Sequence, residues 1–250
     1  MDNQRAGRRL HPLLGWALAL LVIAAFCSLG TWQLGRARQK EAMLAQVHAV
    51  LGARKPLPLA VAGDAAKASD YDWAGGEGEF ADAPALLLDN QMHDGKAGVR
   101  AYRLFLPVGA SPLLLELGWL PVPGDRTMPA IPRPAGTFRV QGLLVPPPAH
   151  GIAGASVSRQ PGGELLTLGL DTQGLAAELG VDAIAPRILK LDPALKLGYA
   201  RDLDILPNTL PPERHLGYAV QWFGLALAVF VTASLLSLRQ RRRAREKMPA

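Results

Sequence analysis

A chain of 250 residues with one cysteine, Cys27, cannot form an internal disulfide, a CxxC redox pair or a thiolate metal cluster. Its formal charge of +6 sits at its ends: the segment before Pro12 carries +2 and the tail after Leu238 carries +5, leaving about −1 for the rest. With no aromatic-studded basic face, this distribution argues against a nucleic-acid partner and for basic anchors beside membrane helices, which also attract anionic lipid.

The first element runs from Pro12 to Trp32, 21 residues without Asp, Glu, Lys or Arg. At about 1.5 Å rise per residue such a helix reaches roughly 31 Å, the thickness of a bilayer's hydrocarbon core. A cleaved signal peptide is the rival reading, since the start is basic and Ala25-Phe26-Cys27 would pass as a cleavage tripeptide. The apolar run exceeds the roughly 7–15 residues of a signal core, however. Phe26 before Cys27 also lacks the small side chain a lipoprotein signal needs. We therefore read a cytoplasmic N-terminus over 1–11 and a retained transmembrane helix over 12–33.

From Leu34 to Leu51 there is no proline, and Leu34, Ala37, Ala42, Met43, Ala45, Val47 and Val50 alternate with charged positions. That pattern predicts a helical continuation, ended by Gly52 and Pro56. The Pro/Ala-rich stretch from Pro56 to Ala68 reads as a loop. Gly75, Gly76 and Gly78 have no following helix to make a phosphate cradle, so they read as a turn or bulge.

The period then shortens. Ala85–Leu88, Val99–Val108, Pro112–Leu120, Phe138–Val145 and Glu164–Leu170 are short apolar runs bounded by Gly, Pro and Asp, as in hairpin-connected strands. His93-Asp94-Gly95-Lys96 is a turn signal, Pro146-Pro147-Pro148 a stiff turn, and Thr172–Leu179 a short helix capped by Asp171 or Thr172. Arg187–Leu191 reads as a last strand. Residues 34–214 thus form one domain with enough chain for its own core.

The second uncharged stretch, Tyr218–Leu238, is again 21 residues long. Arg239, Arg241, Arg242, Arg243, Arg245 and Lys247 follow it, opposed by Glu246; Arg5, Arg8 and Arg9 precede the first span against Asp2. Lys and Arg stay on the cytoplasmic side, so both termini should be cytoplasmic and the loop periplasmic. Arg36, Arg38 and Lys40 pull the other way, and the C-terminal cluster decides. The expected fold is an α+β membrane protein: N- and C-terminal transmembrane helices, the latter over 215–238 with its outer entry, flank a mainly antiparallel β periplasmic domain. The sheet could curl into a partial barrel. A basic cytoplasmic tail, 239–250, closes the chain.

No Walker loop, G-x-S-x-G elbow, H-E-x-x-H or paired-Cys spacing is present. What stands out is polar and aromatic clustering at the outer ends of both spans: Gly30-Thr31-Trp32-Gln33 with Arg36, and His215-Leu216-Gly217-Tyr218 with Gln221-Trp222-Phe223. At 100° per residue His215, Tyr218 and Trp222 share one helix stripe, with Gln221 on its flank. Two readings stand side by side. Trp and Tyr anchor helices at interfaces, and a His beside them is ordinary there. Alternatively, glutamines near lipid need partners, and a neutral imidazole above an aromatic groove can be an axial haem ligand.

Four motifs occur in order: Gly30-Thr31-Trp32-Gln33-x-x-Arg36 with Lys40; Asp89-Asn90-x-x-His93-Asp94-Gly95-x-x-Gly98; Gly118-Trp119-x-Pro121; and His215-x-x-Tyr218-Ala219-x-Gln221-Trp222-Phe223. Together they resemble the Surfeit locus protein 1 family, assembly factors of cytochrome c oxidase with two spans. The resemblance covers almost the whole chain, and its two end motifs are the specific part. Leu117 stands where the family usually has Arg, and Val99 where an aromatic is common. The resemblance implies a non-enzymatic factor that transiently binds haem a and delivers it to the oxidase catalytic subunit. It also implies His215 as axial iron ligand. On that basis we expect Tyr218, Gln221, Trp222, Trp32 and Gln33 to line the site and Arg36, whose fixed fork suits carboxylates, to hold a propionate. The expected partners are the oxidase subunit or haem A synthase, on which the sheet domain would dock, and membrane lipid. An oxidase-assembly scaffold that never touches haem is the alternative. A hydrolase built on Asp89, His93 and Asp94 is the third, weakened because these turn neighbours have no nucleophile. His93 itself reads as a solvated turn residue, His48 and His150 as surface residues, and His11 as cytoplasmic.

Overall fold

The computed structural model describes residues 12–148, 156–206 and 209–245. The readings of the 1–11 segment with His11, of His150, and of Glu246 and Lys247 lie outside the described residues. The chain forms two compact units, one of residues 1–43 with 210–250 and one of residues 44–209.

Helix α1 spans Pro12–Ala53, so the predicted continuation beyond the first apolar stretch is present. It does not stop at Gly52. Arg54 ends it in the left-handed region at φ 41°, its N–H donating to the Val50 carbonyl at 2.8 Å. Lys55 precedes Pro56, and a residue before proline is driven out of the helical region. The last turns belong to the second unit, where Val47 is buried.

Among the described residues the second unit holds a nine-stranded sheet. Strand β1 (Leu57–Pro58) and two 3₁₀ turns (Leu59–Gly63 and Ala65–Lys67) occupy the expected loop, because Leu59 and Ala62 are buried. Strand β2 (Asp72–Phe80) contains the glycine-rich patch, which is therefore neither turn nor isolated bulge. Its glycines serve close backbone approach: a Cβ on Gly75 would sit 2.9 Å from the Val140 carbonyl oxygen, and one on Gly78 would strike the backbone of Leu106 and Pro107.

The predicted runs become β3 (Leu86–His93), β4 (Lys96–Pro107), β5 (Leu113–Pro121), β6 (Thr137–Val145), β8 (Leu165–Thr167) and β9 (Ile188–Leu191). A further short strand, β7 (Val157–Arg159), has no sequence signal of its own. Helix α2 (Thr172–Glu178) is capped by Asp171, whose carboxylate accepts from the Gln173 N–H. The strand order is β1-β2-β6-β9-β5-β4-β3-β8-β7, and β2 also pairs with β4. The pairings β2–β6, β6–β9, β9–β5, β5–β4 and β4–β2 thus close a circuit. Six of the nine pairings are antiparallel; β1–β2, β3–β8 and β5–β9 are parallel.

The strands bury both faces. Leu87, Ala101, Phe105, Leu113, Leu115 and Leu189 join one apolar cluster, while their neighbours Leu86, Leu88, Leu104, Leu114 and Ile188 join another with residues of α2. Alternation along the strand therefore separates two cores rather than core from solvent. The β3–β4 hairpin turns on Asp94 (φ 48°) and Gly95 (φ 75°), both in the left-handed region that a type I′ turn requires.

The first unit contains α1 up to Met43 and helix α3, Pro212–Arg245. Both helices are long and apolar enough to cross a membrane.

Candidate functional site

Within the first unit the two helices run antiparallel, as their side-chain contacts record. Trp16 Nε1 donates to Ser237 Oγ at 2.8 Å, and the Phe26 and Trp222 rings lie 5.5 Å apart. Gly30 faces the Phe223 ring, and Gln33 meets His215. From Trp16–Ser237 to Gln33–His215 one number rises while the other falls, so the ends of the two apolar stretches marked by Gly30–Gln33 and His215–Phe223 come to the same level.

Small residues make the approach close. Ala37 is fully buried and Ala219 nearly so, while a Cβ on Gly30 would lie 2.8 Å from the Phe223 ring. Apolar helices in lipid gain by this kind of packing, with polar side chains bonding across the seam. Pro212 opens α3, where its missing N–H and fixed φ cost nothing, and places His215 in the first turn. The Lys40 ammonium donates to the Leu210 carbonyl, tying α1 to the residues that lead into α3.

His215 is only 7% exposed. Its Nδ1 lies 2.7 Å from Gln33 Oε1, and its Nε2 is buried without a hydrogen-bond partner among the described residues. A buried imidazole nitrogen left unpaired is unusual, because native structures satisfy most such atoms. The donor chemistry fits an axial ligand for haem iron.

The other expected site residues distribute unevenly. Trp222 is half-buried against Phe26, on the His215 face of α3. Trp32 is 56% exposed, Tyr218 39% exposed, and Gln221 exposed as well. Arg36 is exposed and its Nη1 donates to Gln39 Oε1 at 2.9 Å. Phe26 and Ala37 belong to a packing face of α1 that the sequence motifs did not mark, although their three-to-four-residue spacing with Gly30 and Gln33 carries that signal.

A second constellation lies in the sheet unit. His93 packs on Trp119 at 5.3 Å between ring centroids, with Asp202 3.4 Å from Nδ1 and Asp94 3.7 Å from Nε2. Its side chain is 22% exposed, so it is held against its neighbours rather than freely solvated. Asp89 turns to Arg126, 2.5 Å away, so Asp89, His93 and Asp94 do not converge as a hydrolase would need. Beside them an open cleft of about 510 Å³ is lined by His93, Asp94, Arg100, Asp202 and Asp204 among others. Beneath it, buried Arg100 meets Glu116 at 2.5 Å and Lys190 lies 3.5 Å from the same carboxylate. Among the described residues no group of three His, Cys, Asp or Glu is placed to hold a metal ion.

The sequence profile of the SURF1 family matches residues 20–227, from within the first apolar stretch to within the second. The chain belongs to the SURF1 family. This family is known for oxidase assembly, as assembly factors rather than catalytic enzymes, and the two apolar helices of this SURF1 protein associate it with a membrane. Among curated proteins no significant match to the chain is found.

Proposed function

We propose that this protein binds haem a transiently at the outer boundary of a bacterial inner membrane and helps deliver or insert it into the catalytic subunit of a haem-copper, cytochrome c-type oxidase. In this reading both termini are cytoplasmic and the sheet domain is periplasmic. The observation that carries it is the buried Nε2 of His215, unpaired among the described residues, beside Gln33 at the level where both uncharged stretches end. An imidazole nitrogen is a common axial haem ligand, and His215 offers one with no competing proton donor. Phe26 and Trp222 supply apolar surface for a flat macrocycle, and Trp32, Gln33, Tyr218 and Gln221 complete the surroundings. Arg36 has the planar fork that suits a propionate carboxylate. The sheet domain would then dock on the oxidase subunit or on haem A synthase.

The test is the haem absorbance of detergent-extracted protein made with haem a available. His215→Ala should remove most of it, and unchanged haem content in that variant would refute the ligand assignment. Oxidase co-purification without any haem spectrum in the unmodified protein would favour a haem-free scaffold instead.

A further inference from the structure

Among the described residues the His215 ring has one hydrogen bond, which chooses between its two nitrogens, and the choice falls to Gln33. We infer that Gln33 is the positioning residue of the site. Its amide oxygen accepts from Nδ1–H and so holds the imidazole in the tautomer whose Nε2 keeps a free lone pair. The inference rests on the proposed haem-binding reading and names the residue that prepares the ligand.

Neutral imidazole has one N–H and one lone pair, and the partner of one nitrogen fixes the state of the other. With Gln33 Oε1 at 2.7 Å, an N–H at Nδ1 is bonded and Nε2 is left as an acceptor. In the opposite tautomer the proton would sit on Nε2, which is buried with no acceptor beside it, and Nδ1 would confront an oxygen lone pair. Either fault alone disfavours that tautomer, because a buried N–H without an acceptor forfeits its hydration and gains nothing in return. Gln33 has the placement to impose the choice. It is half-buried, on the face of α1 that carries Gly30 and Ala37, both buried.

The identity of the partner also matters. Metal-bound histidines commonly donate their second N–H to an outer group, and that group sets the ring's orientation and basicity. A carboxylate there would pull Nδ1–H toward imidazolate and strengthen the iron bond. A neutral amide orients the ring with less added basicity. That suits a protein whose cargo must leave again.

The experiment uses the full-length apo protein in lipid nanodiscs, with histidine ¹⁵N NMR reading the protonation of each ring nitrogen. In the unmodified protein His215 should show protonated Nδ1 and unprotonated Nε2. Gln33→Leu should abolish that preference, whereas Gln33→Glu should restore it. Titration with haem a then reads affinity: Gln33→Leu should weaken it about 10–100-fold, the range for outer-partner loss, and Gln33→Glu should slow release. Protonated Nε2 in the unmodified protein, or an unchanged spectrum in Gln33→Leu, overturns the inference even if haem binds. The expected tautomer with no haem uptake would instead defeat the haem-binding reading and leave the Gln33–His215 pair standing.

Discussion

Replacing Glu116 with Gln should be among the most damaging single changes in the sheet domain. Glu116 is 4% exposed, and its two oxygens serve three neighbours: Arg100 Nη1 at 2.5 Å, Lys190 Nζ at 3.5 Å and the Tyr102 hydroxyl at 3.1 Å. Arg100 and Lys190 are 2% and 4% exposed. Without the carboxylate charge the acidic partner left to both among the described residues is Asp202, at 3.8 and 3.9 Å and on a partly exposed side chain, and Lys190 keeps a neutral bond to the Asp204 carbonyl at 2.7 Å. Leaving buried charge uncompensated costs about 3–5 kcal/mol. At roughly 2–4 °C per kcal/mol for a domain of this size, the midpoint should fall by about 6–20 °C. The assay is thermal unfolding of the full chain in detergent, followed by near-ultraviolet circular dichroism. A second outcome is expected on the same grounds. Arg100→Met, Tyr102→Phe, Glu116→Leu and Lys190→Met together should be less destabilising than Glu116→Gln alone, since no buried charge remains in the cluster. A loss below about 1 kcal/mol in Glu116→Gln, the range of exposed ion pairs, would refute the account.

Two further expectations follow from the geometry. Gly30→Leu should split the helix pair, because even its Cβ would meet the Phe223 ring at 2.8 Å; Trp16→Cys/Ser237→Cys cross-linking in a Cys27→Ala background should drop several-fold and recover with Phe223→Ala. Burial, and then the Glu116 carboxylate, push the Tyr102 hydroxyl well above its ordinary range. Above about pH 10 the folded state therefore holds a proton that the unfolded chain loses, so this contribution to stability is complete below that pH and declines as pH rises. Tyr102→Phe should flatten the alkaline limb of the stability profile measured by urea unfolding from about pH 9 to 12.

The parts legible in the sequence are those fixed by short-range physics. Two uncharged runs of 21 residues mark the helices because a charge in hydrocarbon is costly. Asp94-Gly95 marks its hairpin because few other pairs tolerate two positive φ angles. Strand β2 was hidden because its glycines lack the side chains by which a strand is recognised; their reason lies in Val140 and Leu106, far along the chain. Strands β1 and β7 are two and three residues long, too short for any period. The Arg100–Glu116–Lys190 cluster was equally invisible: three charges on three strands each look solvated until the sheet register brings them together.

The site itself divides along a line that sequence alone cannot draw. Each Trp, Tyr and His near the outer ends of the spans fits the interface-anchor reading, since all three have a wet end and a greasy end. Exposure separates them. Trp32 and Tyr218 are turned outward at 56% and 39%, as anchors are, whereas His215 at 7% is withdrawn between the helices and bonded to Gln33. An anchoring histidine gains by reaching headgroup water, and burying it forfeits that gain for a single hydrogen bond. Among the described residues nothing pairs with Nε2, and packing alone does not account for a histidine there, because a leucine would pack without leaving any polar atom unpaired. The proposed haem would give that nitrogen its partner. The proposed site therefore contracts from seven residues toward the His215–Gln33 pair with Trp222, and the imidazole's free nitrogen becomes the atom on which the proposed haem delivery turns.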